Sequence, residues 1–144
     1  MQRLIALVIL VVILAACATY DVQTYARIEQ SSKTITVPAG SQGLTGKIKQ
    51  ALVNDGWKLS VYSGPTISEG AIGEKTRIEQ YDTFNTRYRL LVTSRQFDVC
   101  LNFSAAIRYD ISVVDNKSGS EVFTLSGSGC ESTVVEKFMQ SIRR

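Results

Sequence analysis

Thirteen consecutive uncharged apolar residues, Leu4 to Ala16, stand behind one basic residue, Arg3, and end at a cysteine, Cys17. A helix that crosses a bilayer needs about 20 apolar residues, so this run is short for an anchor and matches the hydrophobic region of a secretory signal. Residues 1–16 are therefore expected to be removed, leaving 128 residues from Cys17 to Arg144, the length of one domain. Losing Arg3 with the leader lowers the basic count from 16 to 15 against 13 acidic residues, so net charge falls from +3 to +2. Such a balance gives no polycationic footprint for nucleic acid. The whole chain is 44% hydrophobic and 20% charged, and the part that follows the leader is neither disordered nor fibrous. The chain contains no histidine, which removes the commonest zinc ligand and every Ser-His or Cys-His nucleophile pair.

The segment Leu14-Ala15-Ala16-Cys17 resembles the lipobox of bacterial lipoproteins. The resemblance implies thioether diacylation of Cys17, cleavage before it and acylation of the new amine. Two or more acyl chains hold a protein durably, at about 0.8 kcal/mol per buried methylene. Lipoproteins of this kind that keep an aspartate after the cysteine tend to stay in the inner membrane; here Ala18 and Thr19 follow, which implies the periplasmic face of the outer membrane. Apart from this covalent lipid no cofactor is expected. Residues 17–32 are polar without apolar periodicity and read as the lipidated N-terminus and a tether, with a coil dimension of about 20 Å. The domain proper is then 33–144.

With Cys17 given to lipid, Cys100 and Cys130 remain as a pair in an oxidising compartment. A bridge between them would stabilise the fold by about 3.5 to 4 kcal/mol in the chain-entropy description. Redox activity would call for a close pair such as Cys-x-x-Cys, and two cysteines without histidine under-ligate a metal, so no metal site is expected.

The mature chain alternates elements. Residues 33–37 (KTITV) read as a strand ending at Pro38, and AGSQG leads into a helix over 44–55 with Leu44, Ile48, Ala51 and Leu52 on one face. Residues 57–63 (WKLSVYS) return as a strand, completing a β-α-β unit. Residues 66–83 carry mixed charges and glycines and read as a mobile loop or a short irregular edge strand. Strands follow over 86–92, over 97–103 around Cys100, and over 107–113, where Ile107, Tyr109, Ile111 and Val113 share a face. DNKSG at 115–119 is a turn into a strand at 121–125. A helix over 132–143 has Thr133 and Glu136 at capping-box spacing and an apolar stripe of Val134, Val135, Phe138, Met139 and Ile142. The fold class is α+β: one sheet, antiparallel after the opening β-α-β unit, with two helices packed on it.

No catalytic residue emerges. Arg87, Arg89 and Arg108, with Arg95, form a candidate face for an anionic polymer or headgroup, because alternate strand residues project together and guanidinium pairs with phosphate or carboxylate. A solvated face or edge protection is the plainer reading. A carboxylate-based envelope hydrolase would need at least two acidic side chains, with Asp98, Asp110, Asp115 and Glu121 as the candidates, to converge in a concave pocket. Trp57, Tyr62 and Tyr88 could make a ligand platform, although a tryptophan opening an amphipathic strand usually belongs to the core. AGSQG and SGSGC at 126–130 lack the residues of a phosphate loop or a nucleophile elbow and read as turns and strand ends.

Cys100, IRYDISVVDNKSGSEVF and Cys130 resemble the β-type pilotin lipoproteins that escort secretin subunits to the outer membrane. The preceding TITVPAG and LTGKIKQALVNDGWKLSVYSG are similar to the opening unit of periplasmic lipoproteins that activate peptidoglycan synthases. Both resemblances imply a non-catalytic factor with an envelope protein as partner, and the binding reading predicts a groove or an uncovered sheet edge that accepts a partner segment. An arginine-rich structural lipoprotein binding anionic glycan or lipid is the remaining alternative.

Overall fold

Ile107, Tyr109, Ile111 and Val113 alternate with polar residues and build the central strand of a six-stranded sheet. The computed structural model describes residues 19–62, 66–70, 76–80 and 85–144, so the leader, Cys17 and parts of the 66–83 segment lie outside the described residues. In chain order the elements are β1 (Thr19–Thr24), β2 (Thr34–Val37), α1 (Gly43–Asn54), β3 (Lys58–Val61), β4 (Thr66–Gly70), β5 (Thr76–Gln80), β6 (Tyr88–Val99), β7 (Ala105–Asp115), β8 (Glu121–Cys130) and α2 (Glu131–Ile142). The large sheet runs β1-β8-β7-β6-β2-β3, and β4 with β5 forms a separate two-stranded sheet. The expected β-α-β unit is present as β2-α1-β3, with β2 parallel to both β3 and β6; the remaining ladders of the large sheet are antiparallel. The class is α+β.

Both helices cover one face of the sheet. Leu44, Ile48 and Leu52 of α1 and Val134, Phe138, Met139 and Ile142 of α2 join Ile35, Val37, Leu90, Ile111, Val113 and Leu125 of the strands in one core. Phe138 is fully buried against Phe123, with ring centroids 5.8 Å apart. Truncating it to alanine is the kind of change that costs about 3 to 5 kcal/mol. Trp57 and Tyr88 also belong to this core, edge to face at 5.9 Å, while Tyr62 is exposed; the three do not form a platform. The helices are joined by ion pairs from Lys47 to Glu131 and, across the end of α1, from Arg143 to Asp55 at 2.7 Å, with Lys33 reaching Asp55 at 3.1 Å.

Four sequence expectations need correction. The polar segment read as a tether includes β1, which pairs along its whole length with β8 from Thr19↔Ser128 to Thr24↔Phe123. Tyr20 sits under the Lys137 ammonium of α2 and Val22 packs on the core, so the strand is held by contacts that its composition hides. Second, the strands expected at 86–92 and 97–103 are one strand, β6, interrupted by an irregularity between Gln96 and Asp98, and the chain turns at 100–104 instead of continuing. Third, β8 does not stop at Leu125 but runs to Cys130 and enters α2 without a loop. The helix N-cap is therefore Cys130, which makes no side-chain cap, and the Thr133–Glu136 capping box does not form at the helix start. Fourth, of the two readings of 66–83, a mobile loop or a segment containing a short irregular edge strand, the structure has strand, but as two strands, β4 and β5, paired with each other in their own sheet.

β1 depends on one glycine. Gly127, opposite Tyr20, has φ +145°, and a Cβ there would stand 2.2 Å from the Thr19 carbonyl oxygen and 2.8 Å from Tyr20 Cα. No other residue allows the two backbones to approach so closely.

Candidate functional site

β6 is twelve residues long, yet β2 pairs with it only at Tyr88 and Arg89. β2 stops at Val37 because Pro38 has no N–H to continue a ladder. The Lys49 ammonium then donates to the carbonyls of Pro38 at 3.0 Å and Gly40 at 2.6 Å, turning the chain away towards α1. From residue 90 onward β6 is therefore paired with β7 on one side and meets no partner strand on the other among the described residues. A shallow open groove of about 490 Å³ follows the start of this edge, lined by Val37, Pro38, Tyr62, Arg89, Leu91 and Thr93. Leu91 is 46% exposed beside it. Arg95 and the irregularity at Phe97 end the regular stretch, as charges and bulges commonly do on strand edges, leaving residues 90–94 as the usable length.

The second exposed feature is the turn between β6 and β7. Leu101 and Phe103 project fully into solvent, at 103% and 92% exposure, with Phe97 and Val99 about half exposed beside them. The turn is held from within: the Cys100 amide donates to the Ser104 carbonyl at 2.8 Å, and the Phe103 amide to the Cys100 carbonyl at 2.9 Å. The expected disulfide closes it from outside, linking Cys100 to Cys130 at the β8–α2 corner with Cα atoms 5.9 Å apart.

The arginines do not form a single row. Arg87 lies before β6, paired with Asp115 at 2.8 Å and near Glu29 at 3.8 Å. Arg89 sits opposite Val114, whereas Arg95 and Arg108 face each other directly at the other end of the same ladder. The two positions are six steps apart along β7, about 20 Å at strand rise. Arg108 lies over the Phe97 ring at 5.6 Å. The pair Arg95–Arg108 is the local concentration of positive charge on the sheet face away from the helices, and no ion pair reaches either among the described residues.

The carboxylates are dispersed. Asp115 serves Arg87 and the turn amide of Lys117, Glu121 accepts from Ser112, and Asp98 accepts from its neighbouring Val99 amide. Asp110 is exposed on the open face opposite Thr93 and Ser126. Among the described residues no three Asp, Glu, His or Cys side chains group as a metal site. The acid that sequence reading passed over is Glu131, a buried residue in the first turn of α2 that takes the Lys47 ammonium. Its only sequence signal was position, one residue ahead of the expected helix. At Asp55 desolvation raises the carboxyl pKa, but hydrogen bonds from Lys33 and Arg143 outweigh it and hold the group below its ordinary value of 3.8.

No protein-family model and no curated protein sequence matches this chain. Solved structures do share its fold. A PelC variant dodecamer from Paraburkholderia phytofirmans superposes with a TM-score of 0.55 at 10% identity, covering 87% of this chain and 97% of that one. A second PelC dodecamer from the same organism gives 0.50 at 10% identity, over 83% and 91%. At such identity the likeness is one of fold.

Proposed function

We propose that this chain is an outer-membrane-anchored, periplasmic lipoprotein that binds an envelope protein through the edge of β6 that no strand covers among the described residues, and carries out no chemistry itself. The observation that supports this most is the stretch at residues 90–94, which meets no partner strand on one side among the described residues, with its groove, since such an edge offers main-chain donors and acceptors that an extended segment can satisfy by strand addition. Dispersal of Asp98, Asp110, Asp115 and Glu121 supports binding over a carboxylate-based hydrolase. The anchor rests on Leu14-Ala15-Ala16-Cys17 and on the pairing of the other two cysteines, which an oxidising compartment sustains.

A photo-crosslinking amino acid at Thr93, in intact envelopes, is expected to give a discrete protein adduct that the same probe at Lys117 does not. Absence of any adduct at position 93 refutes the edge reading. Labelled palmitate is expected to enter the chain and to be lost in Cys17→Ser. The PelC structures are dodecamers, which supports a second reading in which the added segment comes from a neighbouring copy of this chain. An adduct of twice the chain mass would select it.

A further inference from the structure

The free apolar turn and the start of β1 stand at the same end of the sheet. β1 runs parallel to β7 across β8, since both are antiparallel to it, and Thr19 aligns through Ser128 with Arg108 and thence with Arg95. Only Ala18 separates Thr19 from Cys17, so at most about 7 Å of chain lies between the ladder and the lipidated position. The turn at 100–104 extends beyond the Arg95–Arg108 pair by three ladder residues, about 10 Å. Between β1 and β6 lie two strands, a lateral distance of about 14 Å.

We infer that the β6–β7 turn is a membrane-insertion tip, which seats Leu101 and Phe103 among the acyl chains while Arg95 and Arg108 meet the phosphates of the lipid headgroups. The orientation of the domain used in this inference rests on the proposed lipidation at Cys17; the tip itself rests on Leu101, Phe103 and the arginine pair. Leu101 and Phe103 are exposed because the turn is closed by its own hydrogen bonds and by the disulfide, so they cannot fold back on the core; Phe103 even holds a left-handed φ of 61°. Arginines placed directly opposite each other repel, a cost that an anionic partner removes. Phospholipid supplies both the apolar layer and the phosphate in the order in which the tip presents their complements. With the anchor almost adjacent to the ladder, the domain is held against the bilayer, and this end of the sheet is the one that faces it.

The test uses the full lipidated protein with Phe103→Trp, in vesicles of phosphatidylethanolamine and phosphatidylglycerol whose acyl chains carry bromine. The introduced indole is expected to lose about half its emission, as a group does when it enters the shallow acyl region. Buried Trp57 serves as an unquenched reference, and Lys117→Trp, at the opposite end of β7, is expected to stay unquenched. The double variant Leu101→Ser/Phe103→Ser is expected to weaken vesicle binding of the unlipidated chain at least tenfold while leaving its melting unchanged. An acylated protein whose position 103 is not quenched overturns the tip. Emission that shifts with protein concentration in the absence of vesicles also overturns it, in favour of contact between copies. Intact mass judges the anchor separately: a chain without acyl groups that is still quenched keeps the tip and removes the anchor, and one that is neither acylated nor quenched removes both.

Discussion

Replacing Gly127 by alanine should release β1 from the sheet while leaving the domain folded. The new methyl would meet the Thr19 carbonyl oxygen at 2.2 Å, roughly 1 Å inside an ordinary contact, in a backbone conformation of φ +145° that side-chain-bearing residues avoid. Keeping that conformation costs about 1 to 3 kcal/mol. Letting β1 go caps the loss at a similar figure: about 1 kcal/mol of net hydrogen bonding at each of its six ladder positions is roughly offset by about 1 kcal/mol or more of backbone entropy returned per freed residue, which leaves the packing of Val22, worth at most about 1.5 to 3 kcal/mol. The expected loss is therefore about 1 to 3 kcal/mol, or a melting temperature lower by about 4 to 12 °C for a domain of this size. Hydrogen exchange should lose protection at Thr19–Thr24 and at the β8 amides facing them, with α1 and β6 unaffected. Gly129 provides the control: a Cβ there meets nothing within 4 Å, so Gly129→Ala should fall within about 0.5 kcal/mol of the parent. Equal losses in the two variants, or full protection of β1 in Gly127→Ala, would refute the reasoning.

Reducing the Cys100–Cys130 bridge, with its separation of 30 residues, is expected to cost about 3.5 kcal/mol, which calorimetry with and without reductant reads as a fall of about 14 °C. Lys47→Met leaves the Glu131 carboxylate buried at 6% side-chain exposure without its cation; urea titration should show a loss of about 1 to 3 kcal/mol, largely regained in Lys47→Met/Glu131→Leu. The Asp55 carboxyl titrates lower in the folded than in the unfolded chain, so its stabilisation is complete above the unfolded value near 3.8 and is lost as pH falls through the folded one. Below about pH 4 the parent should thus lose up to about 1 kcal/mol more than Asp55→Asn, given that Arg143 is exposed and screened; parallel pH curves would remove this contribution.

The legible part of the fold is the part whose sequence carries one buried face. Leu44, Ile48 and Leu52, the alternation in β7 and the stripe of α2 each repeat at the period of their element, so their positions follow from burial alone. β1 was not legible because TYDVQT is an edge strand with one core-packed aliphatic, Val22, and a tyrosine held by a cation; the clue lay at the other end of the chain, in the glycines of SGSGC. The second half of β6 reads as polar and broken because residues 93–99 are all exposed although paired with β7, so no periodic signal is imposed there. Its edge without a partner strand among the described residues follows from where β2 stops, which Pro38 announces, and from register, which sequence does not state. Of the arginines, type and alternation were visible; that Arg87 would be absorbed by Asp115 while Arg95 met Arg108 depended on strand pairing.

The hydrogen bond between the hydroxyls of Thr19 and Ser128 spans 109 positions of sequence. The other end of the same ladder, Thr24 opposite Phe123, is 99 positions apart, and contacts of such separation are slow to form because the intervening chain must be gathered first. Under the proposed export, in which the chain crosses a membrane head first, β2-α1-β3 and the β6–β7 hairpin can assemble as they appear. Its opening segment must wait, unpaired, until the last quarter has crossed. An acylated head would make that wait a tethered one, with the final strand returning to a fixed point on the membrane surface.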